Sequence, residues 1–304
     1  MEAHARAGID IVGHSLRYAE VEQYGARFRL LRLGSCDFDF DVAEAVLATS
    51  ADDHVAMVSE ALGDVFSGSV ADSVHVTVHP PRCYSFFSPL PKELSPARRN
   101  VRLQQEAALV AGTEPSLHIT PDAVRSQKLE DGSTVEWVHV LAVERAMHER
   151  IRNVLGHLSR LRGRLVVGMH AAASTVARLD VPPGAGYSLA IGTYPDHVEY
   201  ALCRDGAWQF SRYSDAVPPV DVAYFAAHVA DRFGLAPREI EALYLYGDDA
   251  DRSHFPDLEF VFGSKLRPLN PLVILDVDEG GLASDFDVEG YVGCIGAALQ
   301  QGSD

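Results

Sequence analysis

The residues best suited to chemistry lie in a short hairpin near the start of the chain, from Gly8 to Glu22. An apolar run there carries one acid, Asp10, and the turn that follows contains Gly13, His14 and Ser15. A carboxylate at the end of a buried strand can hold a metal or a water molecule, and a glycine lets the backbone approach a phosphate closely. Read alone, the pattern is more typical of an ordinary core strand and its turn than of a phosphate site.

Other kinds of catalytic or metal site are not indicated by the sequence. The four cysteines lie far apart with no Cys-x-x-Cys pair, so we interpret them as buried thiols in a reducing compartment. No Gly-x-Ser-x-Gly motif or triad-like spacing is present. His75 and His79 alternate with valines in a predicted strand, where residues four apart are separated by about 13 Å, so we expect them to face solvent rather than share a metal. The sequence thus predicts no catalytic residue and no metal ligand.

Composition and charge restrict the class of protein. The chain has 304 residues, of which 47% are hydrophobic and 23% charged, as in soluble globular proteins. Its formal net charge is −17, which argues against nucleic acid as a partner because phosphate binding needs clustered Lys and Arg. The N-terminus lacks a signal-peptide layout, and no run approaches the roughly 20 apolar residues of a membrane helix. We therefore expect a cytoplasmic protein that reaches a membrane only through a partner.

Alternating apolar and polar residues predict the same order of elements in two parts of the chain. Residues 8–33 read as three antiparallel strands joined by glycine-containing turns, and residues 187–213 repeat that order. Leu258 to Phe262 is predicted as a strand. Such a repeat indicates internal duplication. Helical spacing predicts helices over 53–66, 147–161, 171–179, 221–233 and 290–300.

A segment of different character interrupts the first half. After Pro80 the order is an aromatic strand, a basic helix over 93–111 and two strands joined at Asp131-Gly132, which is a strong hairpin signal. We read it as an inserted α+β subdomain. The predicted division is a first lobe of residues 1–73 and 147–180, an inserted subdomain of residues 74–146 and a second lobe of residues 181–304, with Asp180 to Gly186 as linker.

Five stretches, taken in order, form a recognisable pattern: Gly8-Ile9-Asp10-Ile11 with Ser15-Leu16-Arg17, Ala190-Ile191-Gly192, Leu245-Tyr246-Gly247, Leu269-Asn270-Pro271 and Ile295-Gly296-Ala297-Ala298-Leu299. They resemble the actin-like ATPase superfamily and within it the PilM-type pilus assembly proteins. FtsA and the cytoplasmic part of the type II secretion L protein are more distant likenesses. The resemblance implies an α/β, ribonuclease H-like duplicated fold with two lobes around a cleft and a small inserted subdomain.

The same resemblance implies a nucleotide site, with ATP and Mg²⁺ as cofactors if the site is retained. The residues it assigns there are Asp10, Gly13, His14, Ser15, Arg17, Gly192, Thr193, Gly247, Asp248 and Gly296.

The sequence also departs from the superfamily pattern at the places that would grip phosphate. Val12 stands where a glycine is expected after Asp10-Ile11, and Ala190 stands where the second loop carries an acid. Gly168 occupies another position that usually holds an acid, and Asp248 and Asp249 add negative charge near the expected nucleotide. Together these departures predict that hydrolysis is lost, with no cofactor required.

Two functions follow from the resemblance. The first is a non-catalytic or weakly nucleotide-binding scaffold that binds the short cytoplasmic segment of a PilN-like membrane protein in a type IV pilus or related secretion machine. The alternative is an active Mg-ATP-dependent ATPase or sugar-kinase-like phosphotransferase of the same fold. Self-association stays open. For the scaffold, the inserted subdomain offers as partner-binding residues Tyr84, Phe86, Phe87, Arg98, Arg99 and Arg102.

Overall fold

The computed structural model describes residues 4–47, 52–112, 116–156, 163–179, 184, 186–277 and 286–300. Its strands are β1 (His4–Val12), β2 (Ser15–Tyr24), β3 (Arg27–Asp37), β4 (Ser73–Val78), β5 (Tyr84–Pro91), β6 (Leu117–Lys128), β7 (Thr134–Glu144), β8 (Leu165–Val167), β9 (Tyr187–Thr193), β10 (His197–Arg204), β11 (Ala207–Asp215), β12 (Ile240–Tyr246), β13 (Leu266–Pro268) and β14 (Leu275–Asp276). Its α-helices are α1 (Val42–Leu47), α2 (Asp52–Val65), α3 (Pro96–Ala111), α4 (Arg145–Val154), α5 (Gly168–Val176), α6 (Pro219–Asp231), α7 (Pro256–Phe262) and α8 (Val292–Ala298).

Two large sheets repeat one topology. The first has the order β14-β3-β2-β1-β4-β8, and the second has the order β11-β10-β9-β12-β13. In each, three antiparallel strands form a meander, and the next strand returns parallel to the first strand of the meander. The duplicated α/β fold predicted from the alternation is confirmed, since β3-β2-β1-β4-β8 corresponds strand for strand to β11-β10-β9-β12-β13.

Helices cover both faces of each sheet. Helices α5 and α8 pack on each other, α8 against β1, β2 and β4, and α5 against β9, β10 and β11. The outer face of the first sheet is covered by α1, α2 and α4, and that of the second by α6 and α7. The central parallel strands are therefore buried on both sides, and their carboxyl ends point toward the space between the lobes.

The inserted subdomain is a three-stranded sheet of order β5-β7-β6 with α3 packed on one face. Its other face lies toward β11 and α5. The inserted sheet starts at Tyr84, whereas Ser73–Val78 pairs with β1 in the first lobe. Although β14 and α8 come late in the chain, they too belong to the first lobe, because they pack on β3 and β1.

Two predicted elements differ from those observed. Leu258 to Phe262 is helical, as part of α7, because Pro256 starts a helix and Gly263 ends it in the left-handed conformation. The helix predicted over 147–161 is observed as Arg145–Val154, and its predicted end lies partly outside the described residues. Among the described helices, none combines the length and the apolar character of a membrane span.

Candidate functional site between the two lobes

Strand pairing brings four polar side chains to one point between the lobes. Asp10 lies opposite Thr77 in the parallel β1–β4 pair, so His79, two residues beyond Thr77, emerges beside Asp10. In the second sheet, Glu199 of β10 and Tyr246 of β12 both lie opposite Gly192 of β9. The carboxyl ends of β1, β4 and β12, together with the start of β10, thus place the acid of the first hairpin next to a histidine, a glutamate and a tyrosine.

The imidazole of His79 connects the two lobes. Its Nε2 donates to Oδ1 of Asp10 at 2.8 Å, and its Nδ1 donates to Oε1 of Glu199 at 2.9 Å. All three side chains are buried, with 6%, 1% and 0% of the residue surface exposed for His79, Asp10 and Glu199. Because each ring nitrogen faces a carboxylate oxygen, both nitrogens carry hydrogen and the ring is an imidazolium.

The opposite charges of this cluster favour each other's ionised form. Burial alone lowers the pKa of His79, but Asp10 and Glu199 oppose it and raise that pKa well above the usual value. Burial raises the pKa of Glu199, but His79 and His197 outweigh it and hold the pKa at about 2. The His79–Glu199 pair is therefore ionised at neutral pH.

The turn between β9 and β10 closes the cluster from one side. The Tyr194 ring stacks on His197, with centroids 4.6 Å apart and planes within 9°, and lies 4.7 Å from the His79 ring. His197 Nδ1 bonds Asp196 at 2.6 Å, and its Nε2 lies 3.6 Å from Oε1 of Glu199. Burial, together with nearby Glu199, raises the pKa of the Tyr194 hydroxyl well above its usual value, so this tyrosine stays neutral.

Gly192 makes room for the Tyr246 ring. A Cβ at Gly192 would lie 2.5 Å from Cζ of Tyr246, closer than side-chain carbons approach one another. Across this glycine the Tyr246 hydroxyl donates to Oε2 of Glu199 at 2.7 Å. The glycine that the resemblance assigns to a phosphate loop thus seats a tyrosine ring.

Gly168, the first residue of α5, has the same relation to the His79–Glu199 bond. A Cβ there would lie 2.5 Å from Nδ1 of His79 and 2.7 Å from Oε1 of Glu199. Any side chain at Gly168 would collide with the His79–Glu199 hydrogen bond. The glycine found where the superfamily usually has an acid is therefore the sequence signal for this bond.

A second connection between the lobes lies at the edge of the cluster. Arg17 of β2 donates to Oδ1 of Asp248, just after β12, and to the carbonyl oxygen of Gly290 at 2.8 Å. Arg17 also lies over the Tyr291 ring, 5.6 Å from its centroid. This arginine therefore ties the first lobe to two segments that follow β12.

The expectation that His75 and His79 face solvent is wrong. His75 is 3% exposed and bonds the Ala297 carbonyl through Nδ1 at 3.0 Å, and His79 is buried between the lobes. The physical reason is that β4 lies between β1 and β8 with helices on both faces, so alternation along it does not separate an inner from an outer face.

The remaining residues assigned to nucleotide fall in three places: the turn after β1, the neighbouring Thr193 and Gly247, and α8. His14 is exposed at the first turn, and Ser15 donates to Asp37 at 2.6 Å. Gly13 and Gly247 have positive φ, and Thr193 is buried beside Tyr246. Gly296 lies away from them, where a Cβ would be 2.2 Å from the Ala171 carbonyl oxygen, so it serves the packing of α8 on α5. Sequence reasoning missed Glu199 and Tyr194, since neither belongs to a recognisable motif.

A groove of about 770 Å³ lies between the inserted subdomain and the second lobe. One wall is formed by Phe86 and Phe87 of β5 together with Trp137 of β7 and Arg125 of β6, and the other is β11 from Gln209 to Asp215. Strands β5 and β11 end their sheets in the described strand order, so each presents an edge without a partner strand. Arginines lie along the groove, at Arg125, Arg212 and Arg232.

The side chains predicted to bind a partner fall on two sides of the inserted sheet. Phe86 and Phe87 line the groove, and Phe87 contacts the Trp208 and Phe210 rings at 5.2 Å. Tyr84 packs with the core under α3. The three arginines lie on α3 and are not among the residues lining the groove; Arg98 is exposed, Arg99 pairs with Glu136, and Arg102 pairs with Glu106.

Two groups of side chains in the described chain have donor atoms close enough to share a metal ion. The first is His79, His197 and Glu199, within the cluster between the lobes. The second is Asp122, His139 and His170, where the inserted subdomain meets α5.

No protein-family model matches the sequence, and neither does any curated protein. Solved structures do match. A chain of the PilM-PilN type IV pilus biogenesis complex has a TM-score of 0.77 at 13% identity, with 97% of each chain covered. A protein of unknown function with an actin-like ATPase fold from Bacteroides thetaiotaomicron has a TM-score of 0.53 at 11% identity, with 90% of this chain and 93% of that chain covered.

A weaker match is the cytoplasmic domain of EpsL, an inner membrane component of the Vibrio cholerae type II secretion system. It is 12% identical over 92% of this chain and 91% of that one, with a TM-score of 0.43. The two stronger matches agree with the duplicated sheets and the inserted subdomain: this chain has the actin-like ATPase fold and is similar over its whole length to a PilM-PilN complex chain.

Proposed function

We propose that this protein is an actin-like scaffold that holds the cytoplasmic segment of a membrane protein, as part of a type IV pilus or related secretion machine, and that it does not turn over ATP. It would be cytoplasmic and reach the inner membrane through that partner. The observation that carries the proposal is the groove between the β5 and β11 edges.

An extended peptide suits the walls of this groove. An edge strand offers a row of backbone N–H and C=O groups to a chain that adds alongside it. The Ser211 hydroxyl of β11 is buried and has no hydrogen-bond partner within the described residues, so the groove also supplies a side-chain group. Main-chain pairing would give affinity, and alternate side chains of the peptide would meet the aromatic residues of the walls.

The charge of the groove indicates the kind of peptide. Arg125, Arg212 and Arg232 outnumber Asp215, although the chain as a whole carries a net charge of −17. Arg125 lies over the Trp137 ring at 4.8 Å, so part of the cationic surface is held in place by stacking. A segment with an apolar anchor and acidic flanks is therefore the expected occupant.

The likeness to a chain of a PilM-PilN complex supports a partner of the PilN kind. At 13% identity this likeness concerns the fold, so the partner is inferred from fold and groove chemistry together.

The side chains between the lobes argue against Mg²⁺ and a triphosphate. Oδ1 of Asp10, the acid expected near the metal, accepts from His79, while its Oδ2 is buried without a partner among the described residues. The Tyr246 ring covers Gly192, and Arg17 is paired with Asp248. Oδ1 of Asp10, Gly192 and Arg17 are thus engaged by other residues of the chain, which favours the scaffold over the ATPase or phosphotransferase.

The test is a binding titration with the full chain and a fluorescein-labelled peptide that copies the cytoplasmic N-terminal segment of a PilN-type protein. Arg232→Glu should weaken binding about tenfold, because the charge reverses at the groove rim. Arg204→Glu, the same change at an exposed site on β10 outside the groove, is the matched control and should bind as the wild type does. Arg98→Glu tests the α3 surface predicted from sequence.

Three results would contradict the proposal: no binding of any PilN-type segment, equal loss in Arg204→Glu, or loss only in Arg98→Glu. Calorimetry with Mg-ATP distinguishes the alternative function. Tight binding that is abolished in Asp10→Asn would favour the ATPase reading.

A further inference from the structure

A second polar cluster, with His139 buried and Asp122 and His170 half-buried, lies where the inserted subdomain meets both lobes. Asp122 of β6, His139 of β7 and His170 of α5 each point one donor atom at a common space, and these atoms lie within 4.8 Å of one another. The Trp208 ring of β11 stacks on His170 at a centroid distance of 4.2 Å, with an interplanar angle of 19°, and lies 4.7 Å from the His139 ring. The cluster thus joins elements of all three parts of the molecule.

One of these donors is buried without a partner. His139 is 1% exposed, and within the described residues its Nδ1 accepts and donates no hydrogen bond. Its Nε2 lies 2.9 Å from the Ser85 hydroxyl, which can accept the Nε2 hydrogen. In that tautomer the Nδ1 lone pair faces the cluster, and leaving it unpaired in the interior costs free energy.

The carboxylate is oriented toward the two histidines. Oδ1 of Asp122 accepts from Arg164 at 2.6 Å, and Oδ2 lies 3.6 Å from Nδ1 of His170. Arg164 therefore fixes the carboxylate plane through one oxygen and leaves the other directed at the cluster.

The donor atoms suit a divalent metal ion. Two imidazoles and one carboxylate are a common ligand set for zinc and related ions. Nδ1 of His139 has no partner among the described residues, and Oδ2 of Asp122 is directed at His170, so both have lone pairs to offer an ion.

We propose that Asp122, His139 and His170 form a binding site for one divalent transition-metal ion of the zinc class, which fastens the inserted subdomain to the first lobe. Neither the amino-acid composition of the chain nor its actin-like fold by itself indicates a metal ion at these residues. A water molecule would complete the coordination. The site does not depend on what the groove binds, because its three ligands lie outside the residues lining the groove.

The neighbouring cations set the expected affinity. Arg164 and Arg178 lie close enough to His170 for their positive charges to affect it, and the same charges oppose the binding of a metal cation there. We therefore expect a dissociation constant on the order of 1 μM rather than the much tighter binding of sites without such neighbours.

The experiment uses the full chain after treatment with a chelator. Titration with Zn²⁺ in a calorimeter should give one ion per chain, and Co²⁺ should develop the visible absorption of a low-symmetry site. His170→Gln and Asp122→Asn should weaken Zn²⁺ binding at least tenfold. Ser85→Ala should weaken it about tenfold, because a hydrogen bond to the far nitrogen of a metal-bound histidine orients the ligand.

A matched control is available where β6 of the inserted subdomain meets α4. His118 and His148 form a stacked pair with centroids 3.6 Å apart, and such a pair can also bind zinc. His148→Gln should leave the stoichiometry and affinity unchanged. Binding retained in His170→Gln but lost in His148→Gln would overturn the proposal, as would the absence of binding to the wild type at 100 μM Zn²⁺, about 100 times the expected dissociation constant.

A second measurement does not depend on the variants folding. X-ray absorption of the zinc-loaded wild type should show two imidazole ligands with the remaining ligands oxygen, and Zn²⁺ should raise the melting temperature of the wild type. A spectrum with sulfur ligands, or with only one imidazole, would overturn the proposal.

Discussion

His79 and Glu199, from different lobes, share a hydrogen bond of 2.9 Å between Nδ1 and Oε1. Both residues are buried, with 6% and 0% of their surface exposed. A charge pair of this kind costs desolvation when it forms, and its loss leaves one charge without a partner in the interior. The lobes of this protein are therefore held together by an ion pair between His79, which follows β4, and Glu199 of β10.

Replacing Glu199 with Gln should lower the free energy of unfolding by about 3 kcal/mol, because the His79 imidazolium keeps only one of its two carboxylates. Urea denaturation at pH 7 measures the change. The matched control is Glu106→Gln in the exposed Arg102–Glu106 pair of α3, for which we expect a change of less than about 0.5 kcal/mol. If Glu199→Gln were as stable as the wild type, the result would contradict a charged His79–Glu199 pair.

The His79–Glu199 ion pair should contribute less to stability at alkaline pH. The groups that face His79 are Asp10, Glu199, Tyr194 and His197, and the two acids raise the pKa of His79 in the folded state above the value of about 6.5 in the unfolded chain. Because the pKa of His79 is higher in the folded than in the unfolded state, its protonation adds its full contribution to the free energy of unfolding below pH about 6.5. This contribution disappears as the pH rises through the folded-state pKa. The stability gap between the wild type and His79→Gln should therefore be largest near pH 6 and shrink toward pH 10 in urea titrations. A gap that widens over this range would contradict the imidazolium.

Much of the fold could be predicted from local sequence. The alternation in residues 8–33 and 187–213, with glycine turns, reproduces the meanders β1-β2-β3 and β9-β10-β11. The Asp131-Gly132 hairpin between β6 and β7 is also as predicted, with Gly132 at φ 85°. These signals depend on neighbours in the chain, and a single sequence contains them.

The interior of the site could not be predicted, because it depends on which strands become neighbours. Nothing near Glu199 marks it as the partner of a histidine 120 positions away. The histidines of β4 were misplaced because a period of two separates inside from outside only in a strand with one solvated face. The sequence alone shows the departures from the superfamily pattern at Ala190 and Gly168. At Gly168 the structure explains the departure, because the His79–Glu199 hydrogen bond occupies the space that a side chain would need.

His75 should make the protein sensitive to acid in the opposite direction from His79. Burial lowers its pKa to about 4; Arg164 and Arg6 act in the same direction, while its bond to the Ala297 carbonyl and the charge of Asp122 oppose them. Between pH about 6.5 and 4 the unfolded chain takes up a proton that the folded chain refuses, which costs about 3 kcal/mol. Asparagine can donate the same bond to Ala297 without titrating. His75→Asn should therefore gain about 3 kcal/mol relative to the wild type between pH 7 and pH 4 in urea denaturation, and parallel pH profiles would contradict a buried neutral His75.

The space at Gly168 provides a steric test of the same His79–Glu199 ion pair. An alanine Cβ there would meet His79 at 2.5 Å and Glu199 at 2.7 Å, and neither side chain can retreat without breaking its hydrogen bonds. We expect Gly168→Ala to lower the free energy of unfolding by about 2–3 kcal/mol, although alanine is the better helix former. Gly63→Ala, within α2, has no heavy atom within 4 Å of its added Cβ and should instead stabilise by about 0.5–1 kcal/mol. If both substitutions stabilise the protein, the Gly168 position is not closed by the His79–Glu199 bond, and the lobes are held together in some other way.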